Sequence, residues 1–341
     1  MYSTIFKRFK KSPIKIGTHN GVFHCDEVLG TYMLQLLFPD SNIVRSRDDN
    51  VLKDCDIVID VGNEYDPEKC RFDHHQKGFN ESMSSIIPGK QWTTKLSSAG
   101  LVYCHFGKDI IKKILGDSTS IDEVEAVFDH VYENFIQEID GIDNGIPMFE
   151  GEPKYRITTN LSSRCHQFNK QWNTPDSEYN EEASFSEAQK YVGSEFVSKV
   201  NRASTIWWPA RSMVANAIAK RFNVDPSGQI IELEGHCPWK EHFFNLEKEL
   251  SIENPILFVI FSDSHRNWRC QAVSVNAGSY VCRQFLHHEW QGLRDEELSK
   301  IAGIEGCIFV HHSGFIGGNK SRDGALKMAL KTIELNKSSE L

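Results

Sequence analysis

The run Asp56-Ile-Val-Ile-Asp-Val61, closed by Gly62, constrains the fold more than any other feature of this chain. Its centre is apolar and β-branched, so neither side of it suits water. Such a strand is stable when both faces of its sheet are covered, as in a parallel sheet flanked by helices. It also carries Asp60 near its end. A carboxylate there needs a partner, because unpaired burial is costly. Neighbouring segments fit the same plan. Residues 14–17 and 42–45 read as short strands, 18–26 as a loop, 27–38 as an apolar helix stopped by Pro39, and 71–74 as a further strand. Residues 96–106 read as helical. From Ser120 to Asp140, a Ser120/Glu123 capping box precedes Ile121, Val124, Phe128, Val131, Phe135 and Ile139 at helical spacing. Strand–helix alternation of this kind predicts a parallel α/β sheet.

The second half predicts a smaller α/β unit. A polar stretch over 150–185 leads to a helical connector at about 187–222. Strand-like runs at 229–233, 255–262, 268–275 and 306–311 then alternate with helices at about 293–302 and 320–334. At 341 residues the chain suits two domains. The reading is a catalytic domain over 14–190 and a substrate domain over 191–335 that includes the connector. Residues 1–13 form a basic segment that could serve as a targeting peptide. No apolar run approaches the roughly 20 residues needed to span a bilayer, so no membrane partner is expected. The nine scattered cysteines include no C-x-x-C pair and read as reduced thiols. The net charge is −9, yet residues 200–341 hold 16 basic and 16 acidic side chains. All the excess acid therefore lies before residue 200, and any nucleic-acid contact must be a local patch.

Ligand-type residues gather at the ends of the predicted strands. His19, His24 and Asp26 follow the first, Asp60 lies near the end of the third, and Asp73-His74-His75 follows the next. Asp140 and Asp143 lie where the long helix ends, in Asp-Gly-Ile-Asp-Asn-Gly145. In an open parallel sheet these positions converge on one crevice. Three or four carboxylates there would repel one another, and a divalent cation removes the problem. Mixed His/Asp donors suit Mn²⁺, Zn²⁺, Fe²⁺ or Co²⁺ better than Ca²⁺. Two metals with a bridging carboxylate are suited to in-line displacement at phosphorus.

In its order of motifs the chain resembles the DHH phosphoesterase superfamily. Within it, Gly17-Thr-His-Asn-Gly-Val-Phe-His-Cys-Asp-Glu27, Asp60-Val-Gly, Arg71-Phe-Asp-His-His-Gln76, Asp140-Gly-Ile-Asp-Asn-Gly145 and Gly314-Phe-Ile-Gly-Gly-Asn-Lys320 resemble the melanocyte-proliferating-gene family. That resemblance implies a 3′–5′ RNA exonuclease of nucleus and mitochondrion, with single-stranded RNA or short oligonucleotides as partner. It implies two divalent ions, Mn²⁺ ahead of Mg²⁺, Co²⁺ or Zn²⁺, and an active-site cleft between the two domains. By the same resemblance His19 and His24 hold the first ion, Asp60 bridges, and Asp26, His74 and Asp140 hold the second, with Asp143 as the alternative to Asp140. His75 faces the substrate phosphate and Asp73 orients a histidine, so Asp60, Asp73 and His75 form the catalytic set. His24 stands where the superfamily usually has an aspartate, which makes the site one negative charge poorer.

The superfamily's second domain closes a glycine-containing motif over the substrate backbone. Here His311, Gly318, Asn319 and Lys320, with Arg266 and Arg269, are the expected phosphate contacts. Two rivals stand beside the exonuclease: a phosphohydrolase of pyrophosphate or short nucleotides, and a metal-stabilised binding protein without turnover. The aromatic residues Phe168, Trp172, Trp207, Trp208 and Trp268 are assigned no role.

Overall fold

Burial along the first strand sets the pattern of the sheet: β1 (Lys15–Thr18) leaves Lys15 to solvent and buries the rest. The computed structural model describes residues 13–339, and the basic N-terminal segment falls outside them except for Pro13. After β1 come α1 (Cys25–Leu37), β2 (Asn42–Arg45), α2 (Asp49–Lys53), β3 (Ile57–Ile59), β4 (Tyr65–Asp66) and β5 (Arg71–Phe72). Then follow α3 (Met83–Ile86), α4 (Ser98–Leu115), α5 (Ile121–Val131), α6 (Gln137–Asp143), α7 (Leu161–His166) and α8 (Glu181–Arg202). The strand order is β2-β1-β3-β5-β4. All pairings are parallel except β4 with β5.

This order positions the site. From β1 the chain moves to one side for β2 and returns to the other side for β3. The ends of β1 and β3 therefore flank a topological switch point, where open parallel sheets bind ligands. Helix α1 lies close on β3, because a Cβ at Gly30 would come within 2.8 Å of Ile59 Cδ1. Val28, Leu29 and Met33 of α1 share one core with Leu101, Val102 and Phe106 of α4, Phe128 of α5 and Phe196 of α8. Ala188, Val192 and Val200 of α8 belong to that core too. The two units divide at Thr205/Ile206, within the helical connector, and α8 packs with the first.

The helix expected to end at Asp140 runs on to Asp143 and contains a π-helical turn, Tyr132–Ile136, between α5 and α6. Such turns rotate the residues beyond them about the axis. Hydrophobic spacing read through a regular helix does not reveal that rotation.

The second unit holds α9 (Trp208–Ala219), α10 (Arg221–Val224), β6 (Ile230–Glu232), α11 (Trp239–Glu249), β7 (Phe258–Ser262) and β8 (Trp268–Ala272). It continues with α12 (Asp295–Ala302), β9 (Cys307–Val310), β10 (Ile316–Asn319) and α13 (Arg322–Ser339). Its sheet, β6-β7-β8-β10-β9, is parallel only between β6 and β7. One expectation is corrected here. Gly317-Gly318-Asn319 is strand, and the helix starts at Arg322 rather than 320. The two glycines let neighbouring side chains lie close on that strand: a Cβ at Gly317 would meet Met328 Cε at 2.8 Å, and one at Gly318 would meet Arg269 Nη1 at 2.7 Å. No helix among the described residues is long and apolar enough to cross a membrane.

Candidate metal centre

The loops that follow β1, β3 and β5 of the first sheet each deliver a donor. His19 follows β1 and is buried, with Nε2 3.3 Å from Asp60 Oδ2 and 3.0 Å from Glu27 Oε1. Asp60 follows β3 with φ of 59°, the left-handed region that aspartate tolerates better than most residues. Strain of that kind concentrates at functional sites. Asp60 is almost wholly buried, and its other oxygen, Oδ1, lies 3.2 Å from His74 Nε2. The same His74 nitrogen is 3.2 Å from Asp143 Oδ2 and 3.9 Å from Asp26 Oδ2. Asp26 sits in the first turn of α1, where it accepts from Ser98 N at 3.3 Å.

Asp73 does not face the cluster directly. It accepts from Asn63 N at 2.6 Å and lies 2.7 Å from His75 Nδ1. His75 is thus held by a carboxylate behind it while 60% of its side chain stays exposed, enough to meet a ligand. An open cavity of about 660 Å³ is lined by His19, His24, Asp26, Arg47, Asp60, Asp73, His75 and Asp143.

Charge balance in this cluster is uneven. Burial alone would lower the pKa of His19, but the Asp60 and Glu27 carboxylates raise it to about 10. Burial opposes ionisation of Asp60, yet the His19 and His74 rings beside it hold it well below the usual carboxylate range. Asp26 is pushed far up by burial and by the charges of Asp60, Asp143 and Glu27. Burial pushes Asp143 up as well. For Asp73, the proton of His75 outweighs burial and lowers its pKa, and the Asp73 bond raises His75 in return.

The donors fit a divalent cation on an observation independent of that balance. Asn144 Nδ2 donates to Lys95 O at 3.1 Å and to Asp140 O at 2.9 Å, which fixes the amide. Its Oδ1 therefore faces His74 Nδ1, at 3.3 Å. In a neutral ring the proton then sits on Nδ1, and the Nε2 lone pair points at three carboxylates. His74 Nε2 and Asp26 Oδ1 are both buried without a hydrogen bond. An imidazole lone pair and carboxylate oxygens directed at one point form a transition-metal donor set, held by an amide acting on the far nitrogen. Two groups share Asp60, namely His19/His24/Glu27/Asp60 and Asp60/His74/His75, while His24/Asp26/Asp143 forms a third. In the second unit His287, His288 and Glu289 also lie together.

Several expected residues stand elsewhere. Asp140 is turned away from the cluster. It accepts from Ser97 N at 2.9 Å, Ser97 Oγ at 2.7 Å and Tyr132 OH at 3.2 Å, a carboxyl group at the N-terminus of α4. A Cβ at Gly100 would come within 2.3 Å of Asp140 Oδ1, so Gly100 is what admits this carboxylate. Asp143, the alternative, is the one at the cavity. In the proposed phosphate grip, Asn319 is fully buried and spends its side chain inside the fold: Nδ2 donates to Glu305 O at 2.9 Å, and Oδ1 accepts from Ser321 N at 2.9 Å. It cannot reach a phosphate without losing these bonds. Arg269 is paired with Asp263 and lies over the Phe309 ring, and Gly318 is covered by both Arg269 and Phe309. Arg266 and Lys320 are exposed, and His311 lies 2.8 Å from Ser313 Oγ. Sequence reasoning missed Glu27 and Asn144. Both adjoin chosen residues, but Glu27 reads as a helix-capping acid and Asn144 as a turn residue. Glu27 does both jobs, since it also accepts from His24 N at 2.9 Å.

Exchanging the two aspartates separates them. Asp140→Asn keeps its Ser97 bonds, so turnover is expected to stay within about threefold, whereas Asp143→Asn should lose at least about 100-fold. Stability adds a second readout. Burial raises Asp140 to about 7, above the roughly 3.9 of an unfolded aspartate. The folded state therefore holds the extra proton between those values, and stability falls as pH rises through that window. Urea midpoints in EDTA at pH 5 and pH 8 should differ less for Asp140→Asn than for the parent. Equal differences would mean that Asp140 does not titrate there.

These features define an α/β protein with a buried imidazole–carboxylate cluster at a topological switch point, a donor set of the kind that suits divalent cations. Residues 15–333 match the model of the MYG1 exonuclease family, described as "Uncharacterised protein family (UPF0160)", and the chain belongs to that family. It is 51% identical over 326 residues to MYG1 exonuclease of Homo sapiens, covering 94% of this chain and 86% of the human one. Identity to MYG1 protein C27H6.8 of Caenorhabditis elegans is 46% over 330 residues, covering 95% and 96%. To MYG1 protein YER156C of Saccharomyces cerevisiae it is 42% over 328 residues, covering 94% and 95%. Among solved structures, RecJ from Thermus thermophilus in complex with Mn²⁺ is similar at a TM-score of 0.27 and 12% identity, covering 97% of this chain and 54% of RecJ. A likeness that slight supports nothing about this chain. The family membership expected from the sequence motifs is established by the match over residues 15–333.

Proposed function

We propose that this protein is a metal-dependent phosphodiesterase that shortens single-stranded RNA from its 3′ end at a dinuclear centre, with Mn²⁺ preferred. The observation that carries the reading is Asp60, whose two oxygens face two different donor groups, His19 with Glu27 on one side and His74 on the other. The name exonuclease borne by the human relative supports a nucleic-acid substrate.

In this reading His19, His24, Glu27 and Asp60 hold one ion, and Asp60, Asp26, His74 and Asp143 the other. Bound there, the ions supply Lewis-acid polarisation of the phosphoryl group and offset the charge that develops on it. The chain's own residues do the rest. Asp73 keeps the Nδ1 proton of His75 in place and favours the charged ring, so the opposite nitrogen presents a proton to a phosphoryl oxygen or to the leaving group. Arg47, on the cavity wall with Nη2 3.2 Å from His19 Nδ1, adds positive charge beside the donors. Asn144 and Asp73 set ring orientations in advance, which lowers the reorganisation needed at the moment of reaction. In the second unit, Arg266, His311 and Lys320 remain the proposed contacts to the substrate backbone.

The test is a time course on a 5′-labelled single-stranded RNA 12-mer with Mn²⁺, with Mg²⁺ and with EDTA. A metal-dependent ladder that shrinks from the 3′ end is the expected result. An intact oligomer together with phosphate released from pyrophosphate would replace this reading with a small-substrate phosphohydrolase. An intact oligomer and intact pyrophosphate would leave a binding protein.

A further inference from the structure

Residues 145–159 are all solvent-exposed and contain no helix or strand. Gly145 N and Ile146 N still bond back to Ile142 O and Gly141 O. Beyond them, no hydrogen bond or ion pair of residues 147–159 is present among the described residues. Composition makes this unusual. Segments that stay solvated are poor in large apolar side chains, yet this one exposes Ile146, Met148, Phe149, Tyr155 and Ile157, with Met148 at 78% and Tyr155 at 76%. Connections of this length without secondary structure are uncommon, and are usually either functional loops or linkers.

Its anchoring says what it serves. Asp143, a cavity residue, and Asn144, which fixes His74, immediately precede it. Leu161 begins α7, and Ser162 and Ser163 line the same cavity. Both ends of the segment are therefore pinned at the rim of the metal centre. Tyr155 is flanked in sequence by Lys154 and Arg156, so the exposed ring has a cationic residue next to it on either side along the chain. That pairing of a stacking face with positive charge suits an unpaired base and its flanking phosphates. An apolar protein surface has no need of the two cations.

We propose that Tyr155, flanked by Lys154 and Arg156, is a stacking platform for a base of single-stranded nucleic acid whose terminal phosphodiester lies at the metal centre. The inference rests on the phosphodiesterase reading above and adds the element that selects a polymer over a small ester. Stacking on an aromatic ring tolerates every base, so the contact confers length preference rather than sequence preference.

The experiment compares the full-length protein with Tyr155→Ala and Tyr155→Phe on an RNA 12-mer and on bis(p-nitrophenyl) phosphate, with Mn²⁺ present. Tyr155→Ala is expected to raise KM for the 12-mer about tenfold and to lower the ratio of kcat/KM for 12-mer over small ester by a similar factor. Tyr155→Phe keeps the ring and is expected to stay within about twofold. An unchanged KM in Tyr155→Ala, or equal losses on both substrates, would overturn the platform while leaving the phosphodiesterase intact. So would a shift in oligomeric state by light scattering, which would mean that a second copy covers the segment. A parent protein inactive on both substrates would overturn the phosphodiesterase reading, and the platform with it.

Discussion

Asp60→Asn is expected to lower metal-dependent hydrolysis of the RNA 12-mer by at least about 1000-fold and to leave a folded protein. The magnitude follows from what the carboxylate does. It is the one side chain shared by the His19 and His74 donor groups, so the amide removes charge from both. Loss of several kcal/mol of charge stabilisation in the transition state corresponds to about three or more powers of ten in rate. The fold is expected to survive because the amide is nearly isosteric and β3 is buried through Ile57, Val58 and Ile59. Ser98 Oγ, 3.2 Å from Asp60 Oδ1, retains an acceptor if the amide oxygen takes that position. Circular dichroism and kcat measured on one preparation check the result. Parental turnover in Asp60→Asn would refute the site.

Metal withdrawal is expected to have the second-largest effect, this time on stability. Without a cation, Asp26 and Asp143 are pushed up by burial and by neighbouring carboxylates, so folding must neutralise or strain them. Mn²⁺ at about 100 times its Kd should stabilise the folded state by roughly 2.7 kcal/mol by mass action alone. For a unit of this size that is about 5–10 °C in Tm. The gain should be larger at pH 8 than at pH 5.5. A raised carboxyl pKa means that stability of the metal-free protein is lost as pH rises, and the ion replaces the protons. Differential scanning fluorimetry with Mn²⁺ and with EDTA reads this directly, and Asp60→Asn should show little of the gain. A Tm that ignores Mn²⁺ at both pH values would mean that the cluster binds no ion.

How much of this was legible in the sequence differs from residue to residue. His19, Asp60 and Asp73-His74-His75 could be placed because they follow strands, and a buried strand announces itself through a local apolar run. The second sheet was harder to read. β10 carries two glycines, which look like a turn, and their strand role appears only when Met328 and Arg269 are seen against them. Asn319 looked available to a ligand for the same reason, because the bonds it makes are to Glu305 and Ser321 on neighbouring segments. Tyr155 lay within a polar excursion and had no periodicity to mark it.

By itself, then, the sequence determined the parallel α/β plan, the family and the set of strand-end donors, because each follows from local hydrophobic pattern or from contiguous motifs. Only the tertiary structure shows which of Asp140 and Asp143 lines the cavity. Residues three apart share a helix face, and which of them reaches the cavity depends on how that helix is turned against α4. Here the gap at Gly100 takes the Asp140 carboxylate and leaves Asp143 to the cavity. The fold likewise recruited Glu27 and Asn144, whose roles exist only once His19 and His74 are packed beside them.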